Sequence, residues 1–527
     1  MEPQWIRVVF RRRVFIIALI LVQLAFILFA IAGTHYAFRY VDFILRAFSI
    51  IVCVYILNKK ENSAYKLTWV FLILLFPLFG GAVYVFFHTQ SSPRKLKRQM
   101  EKTNRRYRPL FLPAGGSVIP EMAALHRECL PQVHYLQEYA GFPVYKYTQT
   151  TYFNSGESFF AQALEELRKA EKYIFLEFFI IRQGKMLDPI LDILEEKAGQ
   201  GLDVRIIYDD LGCFMSLPPK FNKTLEKRGI KCMVFNPFKP ILSSLQNNRD
   251  HRKIISIDGK VAFTGGINLA DEYINAKERF GHWKDAAIML EGEAAWSLAL
   301  IFLHMWNLER KEHDQDDAAS FYPSDFNPPD LDPTDRAGMP ARQIESDGYV
   351  QPYADSPIDK ENVGEHVYIQ IINNAKEYVY INTPYLVIDN TLLSALTLSA
   401  KSGVDVRIIT PYRWDKWIVS VVSRSYYRQL IVAGVKVYEY SAGFNHSKTF
   451  VSDDRVATVG TTNLDFRSLY LHFECGVWMY KTKSVAKVKE DFLNTLAACK
   501  AITLKDCSRN AAQRIVQDVL CLFAPLM

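Results

Sequence analysis

A chain of 527 residues, half of them apolar and carrying 63 Lys and Arg against 56 Asp and Glu, is neither disordered nor fibrous and is long enough to bury large cores. Its net charge of +7 is local: Arg94, Lys95, Lys97, Arg98, Lys102, Arg105, Arg106 and Arg108 crowd one stretch in which Glu101 is the single acid. The eight cysteines form no CxxC pair and no zinc-like cluster, which argues for reduced, structural thiols.

From Val14 to Gly33 the chain is uncharged and follows Arg11, Arg12 and Arg13, which predicts a helix able to cross about 30 Å of hydrocarbon. The run exceeds the roughly 7–15 apolar residues of a signal-peptide core, so a retained span is expected. Leu67 to Phe87 predicts a second span, with Trp69 and Tyr84 near its ends and Pro77 as a tolerated kink. Val41 to Leu57 between them carries Asp42 and Arg46 and either spans or lies at the interface. Residues 1–90 therefore read as a multi-pass membrane anchor and 91–150 as a basic connector suited to anionic lipid or nucleic acid. With two spans the positive-inside rule puts the body on the cytoplasmic face; with three the basic residues nearly balance.

The remainder predicts an α/β body that repeats itself. Lys172–Glu177 and Glu377–Asn382 are apolar strand patterns, Met186–Ala198 and Thr391–Ala400 are helical, and Gly201-Leu-Asp-Val-Arg-Ile-Ile207 matches Gly403-Val-Asp-Val-Arg-Ile-Ile409. Two lobes of mixed sheet flanked by helices are expected, at 151–312 and 346–527, forming a pseudo-dimer. Between them 313–345 is rich in Pro and Asp and reads as a solvated linker. Ala512, Ile515, Val516, Val519, Leu520 and Phe523 have helical spacing, and the helix they predict is expected to cap the body.

Each lobe carries the same polar signature: His251-x-Lys253-xxxx-Asp258 with Asn268, and His446-x-Lys448-xxxx-Asp453 with Asn463. Alternation around each motif predicts a strand with His and Lys on one face. Two imidazoles, two ammonium groups and two amides brought together suit a phosphodiester: the Lys and Asn side chains hold non-bridging oxygens, one His attacks phosphorus, and the other moves the proton. No metal or other cofactor is required by this set, since the lysines supply the positive charge; zinc on His251, His282 and His446 would be repelled by the neighbouring lysines. Asp258 and Asp453 are expected to orient the motifs. Glu177 and Glu474 are candidate partners of the histidines or of a structural Arg, and Trp283 and Tyr385 line either a pocket or the core.

These motifs, over about Tyr152 to Tyr480, resemble the phospholipase D superfamily with its duplicated HKD signature. Thr383-Pro-Tyr385, Gly281-His-Trp-Lys-Asp285, Gly460-Thr-Thr-Asn-Leu-Asp-Phe-Arg-Ser468 with Phe473-Glu474, and Leu75-Phe-Pro-Leu-Phe-Gly80 are similar to bacterial cardiolipin synthases. The resemblance implies transfer of a phosphatidyl group between two phosphatidylglycerol molecules, releasing glycerol through a phosphohistidine. It implies His251, Lys253, Asp258, His446, Lys448 and Asp453 as the catalytic motif residues, with His251 the nucleophile, and Asn268 and Asn463 as substrate-binding. The partners it implies are phosphatidylglycerol and anionic membrane lipids, with no nucleic acid and no obligate protein partner. Hydrolysis, or transfer to another alcohol, uses the same intermediate and stays open; a nuclease fits poorly with two spans, and a non-catalytic scaffold poorly with two intact motifs.

Overall fold

The computed structural model of the protein describes residues 36–60, 62–76, 80–81, 84–85, 92–111, 118–238, 244–308, 310, 315–323, 346–359 and 361–526. The chain forms two compact units. One runs to Lys95 and includes Phe238–Asn247 and Asp518–Met527; the other holds Leu96–Pro237 and Asn248–Gln517.

In the first unit, helix Tyr36–Asn58 covers the apolar stretch bearing Asp42 and Arg46. A second helix, Ser63–Leu75, is capped by Asn62, whose Oδ1 accepts the Ala64 amide at 2.9 Å. It stops because Phe76 precedes Pro77, and a residue before proline is pushed out of the helical region. Among the described residues no helix is long and apolar enough to cross a membrane. The expected span Val14–Gly33 lies outside them, and Leu67–Phe87 is described only in part.

The second unit holds both lobes. The strands of the first are β1 Thr148–Phe153, β2 Tyr173–Phe178, β3 Asp203–Asp209, β4 Lys231–Phe235, β5 Lys253–Ile257, β6 Val261–Gly265 and β7 Ala287–Gly292. Those of the second are β8 Tyr349–Asp355, β9 Tyr378–Asn382, β10 Asp405–Pro411, β11 Lys436–Tyr440, β12 Thr449–Ser452, β13 Val456–Gly460, β14 His472–Tyr480 and β15 Cys499–Ala501. The first sheet is ordered β1-β7-β6-β5-β2-β3-β4 and the second β8-β14-β13-β12-β9-β10-β11-β15, so the repeat read in the sequence is a repeat of topology with one strand added. In both, the central strand pairs in parallel with the next strand of the βαβ unit and antiparallel with the motif strand. Strands β2 and β9 are buried at every residue, as continuous apolar runs covered on both faces must be.

Helix Glu293–Leu308 is mostly apolar, and every residue after Glu293 is buried, the polar Ser297, His304 and Asn307 included. It sits in one core with residues of both sheets, including Ile254 and Ile288 from the first lobe and Val477 and Met479 from the second. The stretch expected as a connector is part of this body: Tyr107 Oη donates to the Leu303 carbonyl at 3.2 Å, and Tyr145 pairs with Val350. Part of the expected linker is also docked, with Asp316 2.6 Å from Arg205. The C-terminal helix is present at Ala511–Leu522; none of its residues is fully buried, and its Gln517 Nε2 donates to the Val421 carbonyl at 2.9 Å.

Two short inter-lobe strand pairings complete the unit. Arg249-Asp250 runs parallel to the start of β14, placing Arg249 beside His472 and Asp250 beside Phe473. Gly443–Asn445 runs parallel to His282–Lys284, placing Phe444 beside Trp283 and Asn445 beside Lys284. Each pairing ends one residue before a motif histidine.

Candidate active site

Extending the two registers by one residue sets His251 opposite Glu474 and His446 opposite Asp285, and the side chains meet there. His251 Nδ1 lies 2.9 and 3.0 Å from the Glu474 carboxylate oxygens, and His446 Nδ1 lies 2.7 Å from Asp285 Oδ2. Each histidine of one lobe is thus held by a carboxylate of the other. The histidines do not lie within their motif strands as expected. The His251 amide donates to the Phe473 carbonyl at 2.9 Å and the His446 amide to the Lys284 carbonyl at 2.7 Å, which draws each His out of its own sheet.

The lysines stand beside them, buried, each Nζ donating to the carbonyl of its own motif histidine. Lys448 Nζ is also 2.8 Å from His446 Nδ1. That nitrogen cannot both accept from Lys448 and donate to Asp285, and the charge-assisted bond to the carboxylate prevails. The Nδ1–H tautomer that results leaves Nε2 with its lone pair.

Electrostatics agree with this protonation. Burial, then the neighbouring Lys448, pushes His446 down to about 4, and burial holds His251 well below its ordinary value. Against the pull of burial, His251 holds Glu474 ionised well below the usual carboxylate range, and His446 and Lys448 lower Asp285. Burial brings Lys253 to about 8, with Glu474 opposing, and Lys448 to about 7, with Asp285 opposing. Lys253 acts electrostatically on both His446 and Lys448, so the two motifs share one site.

The motif aspartates lie elsewhere. Asp258 accepts the amides of Glu171, Lys172 and Tyr173 at 2.8–2.9 Å, and Asp453 those of Lys376, Glu377 and Tyr378 at 2.7–3.0 Å. Both sit in turns with positive φ, 54° and 52°, and tie the far end of the motif hairpin to the start of the central strand. Grouped by resemblance with the catalytic residues, they touch backbone amides and act by positioning. Asn268 is engaged on both sides, its Oδ1 accepting from the Ile180 amide at 3.0 Å and its Nδ2 donating to Tyr273 Oη at 2.8 Å; Asn463 Oδ1 is buried with no hydrogen-bond partner among the described residues.

Of the two candidate glutamates, Glu474 partners His251, whereas Glu177 lies 2.8 Å from the structural Arg252. In the sequence Asp285 stands out only as the end of Gly281-His-Trp-Lys-Asp285. Its role is legible once the lobes are superposed, because Trp283-x-Asp285 and His472-x-Glu474 stand in corresponding places. The Trp283 ring lies 5.2 Å from His446 and the His472 ring 5.4 Å from His251. Trp283 is buried and walls the site; Tyr385 is partly exposed and donates to Asp415 at 2.7 Å. The lobes differ in how each carboxylate is seated. A Cβ on Gly266 would lie 2.0 Å from Asp285 Oδ1, while Thr461, its counterpart, donates its hydroxyl to Glu474. Glycine makes room for one acid and threonine bonds the other.

Among the described residues, His251, His472 and Glu474 bring three potential ligand atoms within 4.8 Å of one another. The ammonium of Lys253 beside them disfavours a cation and suits an anion. His282 belongs to no such group; its Nδ1 lies 3.0 Å from Tyr440 Oη.

The sequence profile described as "Cardiolipin synthase, PLD-like domain" matches residues 163–300 and 368–496, and one described as "Phospholipase D-nuclease N-terminal" matches 47–87. A cardiolipin synthase of Geobacillus thermodenitrificans is 34% identical over 488 residues, covering 92% of this chain and 93% of that protein. A Streptococcus mutans protein described as uncharacterized is 42% identical over 474 residues, 90% of this chain and 99% of that one. Among solved structures, the phosphatidylserine synthase of Haemophilus influenzae superposes with a TM-score of 0.52 at 16% identity, over 72% of this chain and 93% of that one, which shows a shared fold.

Proposed function

The chain belongs to the family of phospholipase D-like cardiolipin synthases, and from that premise we propose that it transfers a phosphatidyl group from one phosphatidylglycerol to the terminal hydroxyl of another, giving cardiolipin and glycerol. The observation that carries the reading is the pair of cross-lobe couples, His251 with Glu474 and His446 with Asp285, each flanked by a buried lysine. His251 Nε2 attacks phosphorus, the P–O bond to glycerol breaks, and His446 delivers the proton to the departing oxygen. Burial, and after it the charge of Lys448, holds His446 at about 4; an anionic phosphodiester in the site offsets the lysine charge and so favours the proton on that imidazole. In the second half the terminal hydroxyl of a second phosphatidylglycerol gives its proton to His446 and attacks phosphorus, freeing His251. Lys253, Lys448 and the amide of Asn463 stabilise the negative charge on the non-bridging oxygens.

The same reading places the enzyme at a membrane. It is supported by the uncharged run Val14–Gly33, by the basic collar, and by helix Tyr36–Asn58, which turns Phe43, Ile44, Ile51 and Tyr55 outward. The charge balance of a two-span anchor favours a body on the cytoplasmic face. The test is to mix the detergent-solubilised protein with phosphatidylglycerol, quench within the first turnover, and map the phospholipid adduct by mass spectrometry. An adduct on His251 supports the scheme; an adduct on His446 reverses the two roles, and a protein that turns over lipid with no adduct on either excludes a covalent route.

A further inference from the structure

Strands β3 and β10 occupy corresponding places, each parallel to the central strand of its lobe. The chain leaving each of them carries large apolar side chains into solvent. After β3, Leu211, Phe214 and Met215 are exposed, Met215 at 91%; after β10, Tyr412, Trp414, Trp417 and Ile418 are exposed, Trp417 at 52%. Scattered exposed apolar residues need no explanation, but two clusters at equivalent positions of a repeated fold do. Their sequences are unrelated, DLGCFMSLPPK against YRWDKW, so what is shared is the position and the apolar character.

The first cluster is one side chain removed from its motif histidine and the second two. In the first lobe a Cβ on Gly212 would lie 2.1 Å from the Phe179 carbonyl, and the Phe179 ring meets the His251 ring edge-on at 5.0 Å. In the second, Asp415 turns inward to accept from Tyr385 at 2.7 Å. The Tyr385 ring lies 6.5 Å from Phe444, which stacks 5.8 Å from His446. The ends of parallel strands are where sheets of this class place their ligands, so the clusters stand at the rim of the site.

We propose that these two loops are a pair of lipid-docking prongs that seat the catalytic cleft on the bilayer surface, one for each histidine. This rests on the phosphatidyl-transfer reading and names the surface through which such a substrate arrives. The occupant is a phospholipid bilayer rather than a protein for two reasons in the side chains. Tyr and Trp present an apolar ring with a polar edge, the combination that settles at the level of the headgroups. The exposed Lys416 and Lys220 border the rings with positive charge that complements anionic lipid; Arg413 lies 3.7 Å from Glu278, and the carboxylate of Asp415 is engaged with Tyr385.

The experiment uses the full chain reconstituted in vesicles containing phosphatidylglycerol, with F214S/M215S in one lobe and W414S/W417S in the other. Each variant is expected to lose roughly tenfold or more of the rate on vesicle lipid while staying within about twofold of wild type on a short-chain, monomeric phosphatidylglycerol, since only bilayer engagement is removed. A second measurement does not depend on turnover: tryptophan quenching by lipids brominated near the headgroup, compared between wild type and W414F/W417F. A quenched component that disappears in W414F/W417F is the expected result. If that component is absent from wild type, or the variants keep full rate on vesicles, the prongs do not touch lipid and the proposal is wrong. A wild-type protein that is quenched yet transfers no phosphatidyl group from either substrate refutes the reaction and leaves the docking surface standing.

Discussion

His251 Nδ1 lies 2.9 Å from Oε1 of Glu474, a residue 223 positions further along the chain. The contact follows from backbone register: Arg249-Asp250 pairs beside His472-Phe473, and the next residue on each side is the imidazole and its acid. The second couple, His446 with Asp285, arises from the pairing of Gly443–Asn445 with His282–Lys284 in the same way.

Because each carboxylate holds the Nδ1–H tautomer, Glu474→Gln and Asp285→Asn should leave the fold intact and lower kcat by about 10²–10⁴, the range expected for a mis-set tautomer. The two differ in which half-reaction suffers. E474Q slows formation of the phosphohistidine, whereas D285N acts through His446 on both the departure of glycerol and the resolution step, so accumulation of the intermediate is expected in D285N and not in E474Q. Rapid-quench mass spectrometry distinguishes them; accumulation in E474Q instead would assign the nucleophile to His446.

The buried lysines set an alkaline limit. Their folded-state values are depressed, to about 7 for Lys448 and about 8 for Lys253, so each is charged below that pH and loses its proton as pH rises through it. The anion-binding charge is therefore lost on the alkaline side, and kcat/KM, which reports the free enzyme, should fall from about pH 7 upward. Lys448→Arg keeps a fixed charge and should move the onset of that fall to the Lys253 range near 8. An onset that does not move in the K448R profile would remove Lys448 from the site's electrostatics.

Asp258 and Asp453 hold turns rather than substrate, so their removal should cost stability first. Each accepts three backbone amides, and Asp258→Ala leaves those donors without their acceptor, the Tyr173 amide among them buried, at a cost of about 1–3 kcal/mol. Asp258→Asn tolerates the positive φ and keeps one acceptor, and should lose less. Thermal unfolding of the full chain in detergent, set beside kcat at a temperature where each variant is folded, checks this. A D258A protein as stable as wild type but inactive would mean the aspartate has a chemical role.

Gly266 should tolerate no side chain. Its Cβ would fall 2.0 Å from Asp285 Oδ1, so Gly266→Ala must displace the acid that orients His446 and should lower kcat roughly as D285N does, by about 10²-fold or more. Gly265→Ala is not an equivalent control, since its φ of 153° and the Ala286 carbonyl at 2.4 Å add backbone strain of their own. Comparing G266A with the double variant G266A/D285N settles the route: the two should be equally slow, and an additive loss would show a separate role for Gly266.

The architecture was legible because duplication writes the same pattern twice: strands and helices matched at an offset of about 200 residues, and His-x-Lys motifs matched at 195, specify two similar lobes. The motif histidines and lysines stand out in the sequence for the same reason. Neither the role of Asp285 nor the choice between the two partners of Glu474 can be read from the sequence, because their pairing depends on a two- or three-residue parallel bridge between distant segments, which leaves no periodicity to read. The loop prongs were hidden for a different reason, since Phe214 and Trp417 acquire meaning only from exposure, and an apolar residue in sequence reads as core. The C-terminal spacing of Ala512 to Phe523 showed a helix but not its surroundings, and amphipathic periodicity alone does not say what the apolar face meets.

The central claim is tested most directly by incubating the detergent-purified protein with radiolabelled phosphatidylglycerol and quantifying lipids together with released glycerol, in wild type, His251→Ala and His446→Ala. Cardiolipin and glycerol in equal amounts, lost in both variants, is the predicted result. Phosphatidic acid formed without cardiolipin would make water the acceptor, and cardiolipin formation that survives in either variant would contradict the two-histidine site.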